Sequence, residues 1–194
     1  MHRFLAALSF FVLGATVSTT AAAQEVAIGS KVTELSVSDE NGPVTISPAK
    51  SVATVVLFVS NYCPVSIAYN ARMNAIRKDY AGKKVNVVFV NPNINETNED
   101  AKTLADTTKL GGIVYRDVNN KLADQLNASF TPEAYVFDAE GVLRYHGAID
   151  DSQTESRIKK RPLRDALDAV LDGKTVETTN TRAFGCTIKR KKST

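Results

Sequence analysis

Two short runs, TVVLFV at 54–59 and VNVVFV at 85–90, constrain this chain more than anything else in it. Both are continuous stretches of β-branched and aromatic residues without polar alternation, the pattern of strands covered on both faces of a sheet. Between them lies one helical stretch, with Ile67, Tyr69, Met73, Ile76 and Tyr80 as its apolar stripe and Gly82 where it should stop. A strand, a crossover helix and a second strand form a parallel βαβ unit, so an α/β fold with a buried sheet is predicted.

The flanking segments extend that unit. Residues 35–37 and 44–46 surround Asp39-Glu40-Asn41-Gly42 and read as an N-terminal β-hairpin. A second helix is expected over 96–110, opened by acids and closed by Gly111-Gly112, followed by a short strand at 113–117. Asn119 is placed as the cap of a brief helix reaching Leu126. Phe130-Thr131-Pro132 then leads into a strand at 134–138, which turns at Ala139-Glu140-Gly141 and returns antiparallel over 142–146. The last helix, 162–171, starts at Pro162, ends at Gly173 and carries Leu163, Ala166, Leu167, Val170 and Leu171 on one face. Beyond it, 174–194 is an extended Thr- and Lys-rich tail holding Cys186.

The N-terminus has the layout of a secretory signal peptide: a basic start, an apolar run over 4–17 and a small-residue end at Ala21-Ala22-Ala23. Cleavage after Ala23 would leave an exported domain over 24–173 and the tail, either periplasmic or secreted. The run is shorter than the roughly 20 residues of a spanning helix. No membrane span is therefore expected once the signal is removed. Lys plus Arg is 24 against 21 Asp plus Glu, a net charge of +3. That balance excludes nucleic acid as the main partner, and the Lys189-Arg190-Lys191-Lys192 run reads as solvated tail. With 2 Cys and 2 His in the chain, neither a four-ligand zinc site nor any other metal or cofactor site is expected.

Chemistry concentrates at Ser60-Asn61-Tyr62-Cys63-Pro64-Val65-Ser66, which joins a buried strand to the first turn of a helix. Unpaired N–H groups and the helix dipole favour a thiolate at such a position, and Pro64 suits the first helical turn. The competing reading is an inert buried cysteine. Cys186 lies 13 residues past Gly173; at about 3.4 Å per extended residue the tail reaches some 44 Å. Pairing with Cys63 is within that reach. A permanent bond would be a staple worth roughly 5 kcal/mol, and a labile one would be redox-active.

Taken together, the Cys-Pro helix start, Asn91-Pro92-Asn93 after the second strand, Phe130-Thr131-Pro132, Tyr145-His146-Gly147-Ala148-Ile149-Asp150-Asp151 and Phe184-Gly185-Cys186-Thr187-Ile188-Lys189 resemble the thioredoxin-fold superfamily. The resemblance is to its peroxiredoxin-like (redoxin, alkyl hydroperoxide reductase/thiol-specific antioxidant) branch, within an uncharacterised group with the C-terminal Gly-Cys-Thr-Ile-Lys motif. It implies a thioredoxin-like fold, a central mixed sheet flanked by helices, with Cys63 as the reactive cysteine and Pro132 as a cis-proline facing it. Ser66 stands where thioredoxins carry a second cysteine. Val56 stands where peroxiredoxins carry proline, and the arginine expected to polarise peroxide is missing near Pro132. The function so implied is thiol–disulfide exchange or peroxide reduction. Its redox partner would be a thiol or disulfide protein, or a peroxide, with Cys63 as nucleophile, Cys186 as resolving cysteine and Ser60, Tyr62, Pro64, Ser66, Thr131 and Pro132 lining the site. Lys189 and its neighbours would favour the Cys186 thiolate. The alternative function is a non-catalytic binding module with a Cys63–Cys186 staple.

Overall fold

The structure, a computed structural model, describes residues 26–108 and 110–191. The leader read at 1–23 and Lys192 lie outside the described residues. Strand β3 (Ala53–Phe58) runs parallel to β4 (Val85–Asn91) in the register Ala53 to Val85 through Phe58 to Val90, the βαβ unit anticipated from the two apolar runs. All six residues of β3 are buried. Val55 and Leu57 point into a core with Tyr69, Met73, Ile76, Leu104, Leu163 and Leu167, while Val56 and Phe58 point into a second with Leu122, Leu126, Tyr135 and Phe137. Burial of each such side chain contributes about 1.5–3 kcal/mol.

Around this pair, β1 (Leu35–Asp39), β2 (Gly42–Ile46), β5 (Val114–Arg116), β7 (Glu133–Asp138) and β8 (Leu143–Gly147) complete a 7-stranded mixed sheet in the order β2-β1-β5-β4-β3-β7-β8. Helices α1 (Pro64–Tyr80), α2 (Asn98–Thr107) and α4 (Pro162–Leu171) supply the first core, and α3 (Lys121–Gln125) the second. A separate two-stranded sheet pairs β6 (Phe130–Thr131) with β9 (Cys186–Thr187).

Four local expectations are corrected. In α1, Ile67 is 46% exposed; the inward face is Ser66, Tyr69, Asn70, Met73, Ile76 and Tyr80, because the true 3.6-residue stripe passes through polar positions. The helix runs on as a 3₁₀ turn over Ala81–Lys83 and stops at left-handed Lys84 rather than at Gly82. Helix α2 begins two residues after Glu96: Thr97 caps it, accepting from Asp100 N–H at 3.1 Å while the Asp100 carboxylate accepts from Thr97 N–H at 2.7 Å. In α3 the N-cap position is Asn120, not Asn119, and the acceptor for the first turn is the side chain of Asp117. Its carboxylate accepts from the N–H groups of Leu122 and Ala123 at 2.9 and 2.8 Å, and Asn119 and Asn120 are both left-handed.

The tail is pinned along its length. Val176, Ala183 and Ile188 are buried, Ile188 N–H donates to Ser129 O, and Ile94 N–H donates to Lys189 O. These contacts carry Cys186 back across the domain to the start of α1.

Candidate functional site

Cys63 is the N-cap of α1, with extended backbone (φ −86°, ψ 113°), and its sulfur accepts from Ser66 N–H at 3.4 Å. Pro64 occupies the first turn, where its missing N–H leaves no bond unmade. The Thr131-Pro132 bond is cis, and Thr131 O lies 3.1 Å from the Cys63 sulfur, accepting the thiol proton when one is present. Across this contact β9 pairs antiparallel with β6, setting Cys186 opposite Thr131. Both cysteines are free thiols. Gly185 permits the approach: a Cβ there would meet Thr131 O at 2.1 Å.

This packing sets the acidities of the two sulfurs in opposite directions. Burial pushes the Cys63 thiol up, but the nearby polar groups of Cys186 and the hydrogen bond from Ser66 N–H outweigh it, and the net shift is down. The Thr131 hydroxyl itself makes no hydrogen bond among the described residues. Cys186 is pushed up to about 11, by burial first, then by its bond to Cys63 and the charge there; Lys189 opposes this only in part. The expectation that neighbouring lysines favour the Cys186 thiolate is therefore corrected. Arg190 is directed elsewhere, donating to Asp124 at 2.8 Å and Ala128 O at 2.5 Å.

The hydroxyls expected to line the site hold the loop instead. Ser60 Oγ donates to Glu96 Oε1 at 2.6 Å and accepts from Tyr62 N–H and Cys63 N–H at 3.2 and 3.1 Å. Ser66 Oγ accepts from Ser60 N–H at 3.0 Å, so Ser66 meets the sulfur only through its backbone. Tyr62 is 60% exposed and donates to Asp100 at 2.5 Å.

Glu96, read from sequence as a helix opener, is the hub of this scaffold. It is 3% exposed, and its carboxylate accepts from Ser60 Oγ, Asn61 N–H (2.7 Å), Asn91 Nδ2 (2.6 Å) and Asn93 Nδ2 (2.8 Å). Buried Arg116 completes it, donating to Asn91 O and Oδ1, Asn93 O and Glu96 O. Asn93 Oδ1 also accepts from Lys189 N–H at 2.8 Å, so one network braces both the Cys63 loop and the Cys186 tail. The sequence signal was Asn91-Pro92-Asn93 followed by a lone acid, which is weak on its own.

Residues 28–146 match the AhpC/TSA family. The chain belongs to that family. A hypothetical protein from Sinorhizobium meliloti is 30% identical with a TM-score of 0.78, the match covering 88% of this chain and 98% of that one. An uncharacterized conserved protein from Geobacillus kaustophilus is 28% identical with a TM-score of 0.78, over 87% and 94%. A thiol:disulfide interchange protein of the thioredoxin family from Chlorobium tepidum is 18% identical with a TM-score of 0.56, over 76% and 97%. The last likeness concerns the fold alone, and the fold is thioredoxin-like. None of the curated proteins matches the sequence. Among the described residues no helix is long and apolar enough to cross a membrane. No group of three or more His, Cys, Asp or Glu there could hold a metal ion.

Proposed function

We propose that this chain is an exported thiol–disulfide oxidoreductase whose redox unit is the Cys63/Cys186 pair. Export rests on the leader read over 1–23, which makes the domain over 24–173 and its tail periplasmic or secreted and allows a disulfide to persist. The observation that carries the redox reading is the pairing of β9 with β6, which sets Cys186 opposite Thr131, the residue whose carbonyl oxygen lies 3.1 Å from the Cys63 sulfur; the Cys63 thiolate is favoured there. When the pair reduces a partner disulfide, one sulfur takes up a mixed disulfide and the other displaces it. Two partner thiols are released, and the Cys63–Cys186 bond closes with loss of two electrons. Cys63, the more acidic sulfur, is the nucleophile of the closing step and the leaving group of its reverse.

Exchange is favoured over peroxide reduction by two features of the site. The Ser60 hydroxyl is saturated by Glu96 and two loop N–H groups, and the sequence has no arginine near Pro132, where a peroxide-polarising one is expected. The test is to titrate the Cys63 thiolate by its absorbance near 240 nm and to equilibrate the protein against glutathione. A redox pair gives a depressed thiol pKa and a reducible bond, with turnover abolished in Cys63→Ser. A pKa of about 8.5 or more with a potential below about −300 mV would instead establish a static staple and a binding module.

A further inference from the structure

The two sulfurs differ in what can reach them. Cys63 is 2% exposed, closed in by Thr131, Ser66 and the tail, whereas Cys186 is partly exposed on a two-residue strand between half-buried Gly185 and exposed Thr187. Exchange at sulfur is an in-line displacement: the incoming thiolate approaches along the extension of the bond being broken. In a Cys63–Cys186 disulfide the Cys63 end lies buried at the N-cap of α1, and the Cys186 end, on β9, is the one an incoming thiolate can reach from solvent.

We infer that the partner exchanges through Cys186, which carries the mixed disulfide, while Cys63 works from behind it as the leaving thiolate or the closing nucleophile. This rests on the redox reading of the pair and reverses the order implied by the resemblance, in which Cys63 meets the substrate and Cys186 resolves. In the oxidising direction the partner is a dithiol. One partner thiolate bonds to the Cys186 sulfur, the Cys63–Cys186 bond breaks, and Cys63 departs as a thiolate. The second partner thiolate then attacks its own sulfur in the mixed disulfide; the partner disulfide forms and Cys186 leaves and takes up a proton. Two electrons pass from partner to protein. The acidities agree with this direction, since a lower-pKa sulfur leaves faster. Three exposed apolar side chains, Tyr62, Ile67 and Ile94, sit on the segments around the pair, and Ile94 is tied to the tail by its bond to Lys189 O. They suit a polypeptide partner better than a small thiol.

The test uses the full chain. With each rate divided by that variant's own thiolate fraction at the assay pH, Cys63→Ser, which leaves Cys186, should be modified by oxidised glutathione at least about tenfold faster than Cys186→Ser, which leaves Cys63; a smaller ratio overturns the inference. Independently, the wild-type disulfide is treated with reduced glutathione, quenched in acid and mapped by peptide mass spectrometry. The adduct is expected on Cys186. Adduct on Cys63, or reduction with no Cys186 adduct, overturns the order of exchange while leaving the redox pair intact. Failure of the wild-type chain to form a Cys63–Cys186 disulfide at all overturns both. The wild-type mapping decides the matter if either serine variant does not fold.

Discussion

Replacing Glu96 by Gln tests whether one buried carboxylate organises the redox loop. The carboxylate accepts four hydrogen bonds at 2.6–2.8 Å, two on each oxygen. An amide keeps one acceptor and turns an NH₂ toward two donors, so two charge-assisted bonds are lost at roughly 1.5–3 kcal/mol each. With the residue 3% exposed, water cannot replace them. The expected loss is about 3–6 kcal/mol, read as a fall of roughly 1 M in the guanidinium midpoint of the reduced protein at unchanged slope. A second readout separates organisation from bulk stability. Because Ser60 Oγ bridges Glu96 to Cys63 N–H, loosening it disturbs the N-cap, and the Cys63 thiol should titrate at higher pH in the folded variant. A stability loss under about 1 kcal/mol together with an unmoved thiol titration would refute the role assigned to Glu96.

Other consequences follow from the same structure. Gly185→Ala puts a Cβ 2.1 Å from Thr131 O and should push β9 off β6, slowing Cys63–Cys186 disulfide formation about tenfold at a cost of about 1–3 kcal/mol; an unchanged rate would contradict the pairing. For the reduced protein, the depressed Cys63 pKa gives stability that is complete above the ordinary value of 9.0 and lost as pH falls through the native titration. The raised Cys186 pKa works the other way, its contribution being lost as pH rises from 9.0 to about 11. Unfolding of the reduced wild type against the double serine variant should therefore show an advantage peaking near pH 9, and a flat difference would count against both shifts. Leu104→Ala, at a fully buried site on α2, should cost about 2–5 kcal/mol by chemical unfolding; a loss below about 1 kcal/mol would mean that α2 does not seal the first core.

What the sequence disclosed follows from how locally each feature is encoded. The parallel pair β3 and β4 was legible because burial on both faces demands an unbroken apolar run, and α4 was legible to its ends because Pro162 and Gly173 punctuate it. Cys63 at a helix start was legible for the same reason. Glu96 was not, because an acid just before a helix looks alike whether it faces solvent or accepts four hydrogen bonds. Nor was the place of Ser60, whose hydroxyl faces Glu96 36 residues away rather than the sulfur three residues on. The junction of Cys186 with Thr131 is made by two-residue strands, too short for any periodicity to announce. Its effect on acidity, opposite to that expected from Lys189, depends on burial and on the approach to Cys63 that the strand pairing brings, not on which residues are neighbours in sequence.

The pairing of β9 with β6 also has a temporal side. A chain delivered from its N-terminus presents Cys63 roughly 120 residues ahead of Cys186, an interval on the order of ten seconds at usual rates of synthesis. During that interval β3, α1 and β4 can assemble from neighbouring stretches while the thiol at the helix tip stands uncovered. A nascent or prematurely terminated product is then a naked nucleophile, open to adventitious cross-linking, and quality control of this protein amounts to waiting for its final strand to arrive.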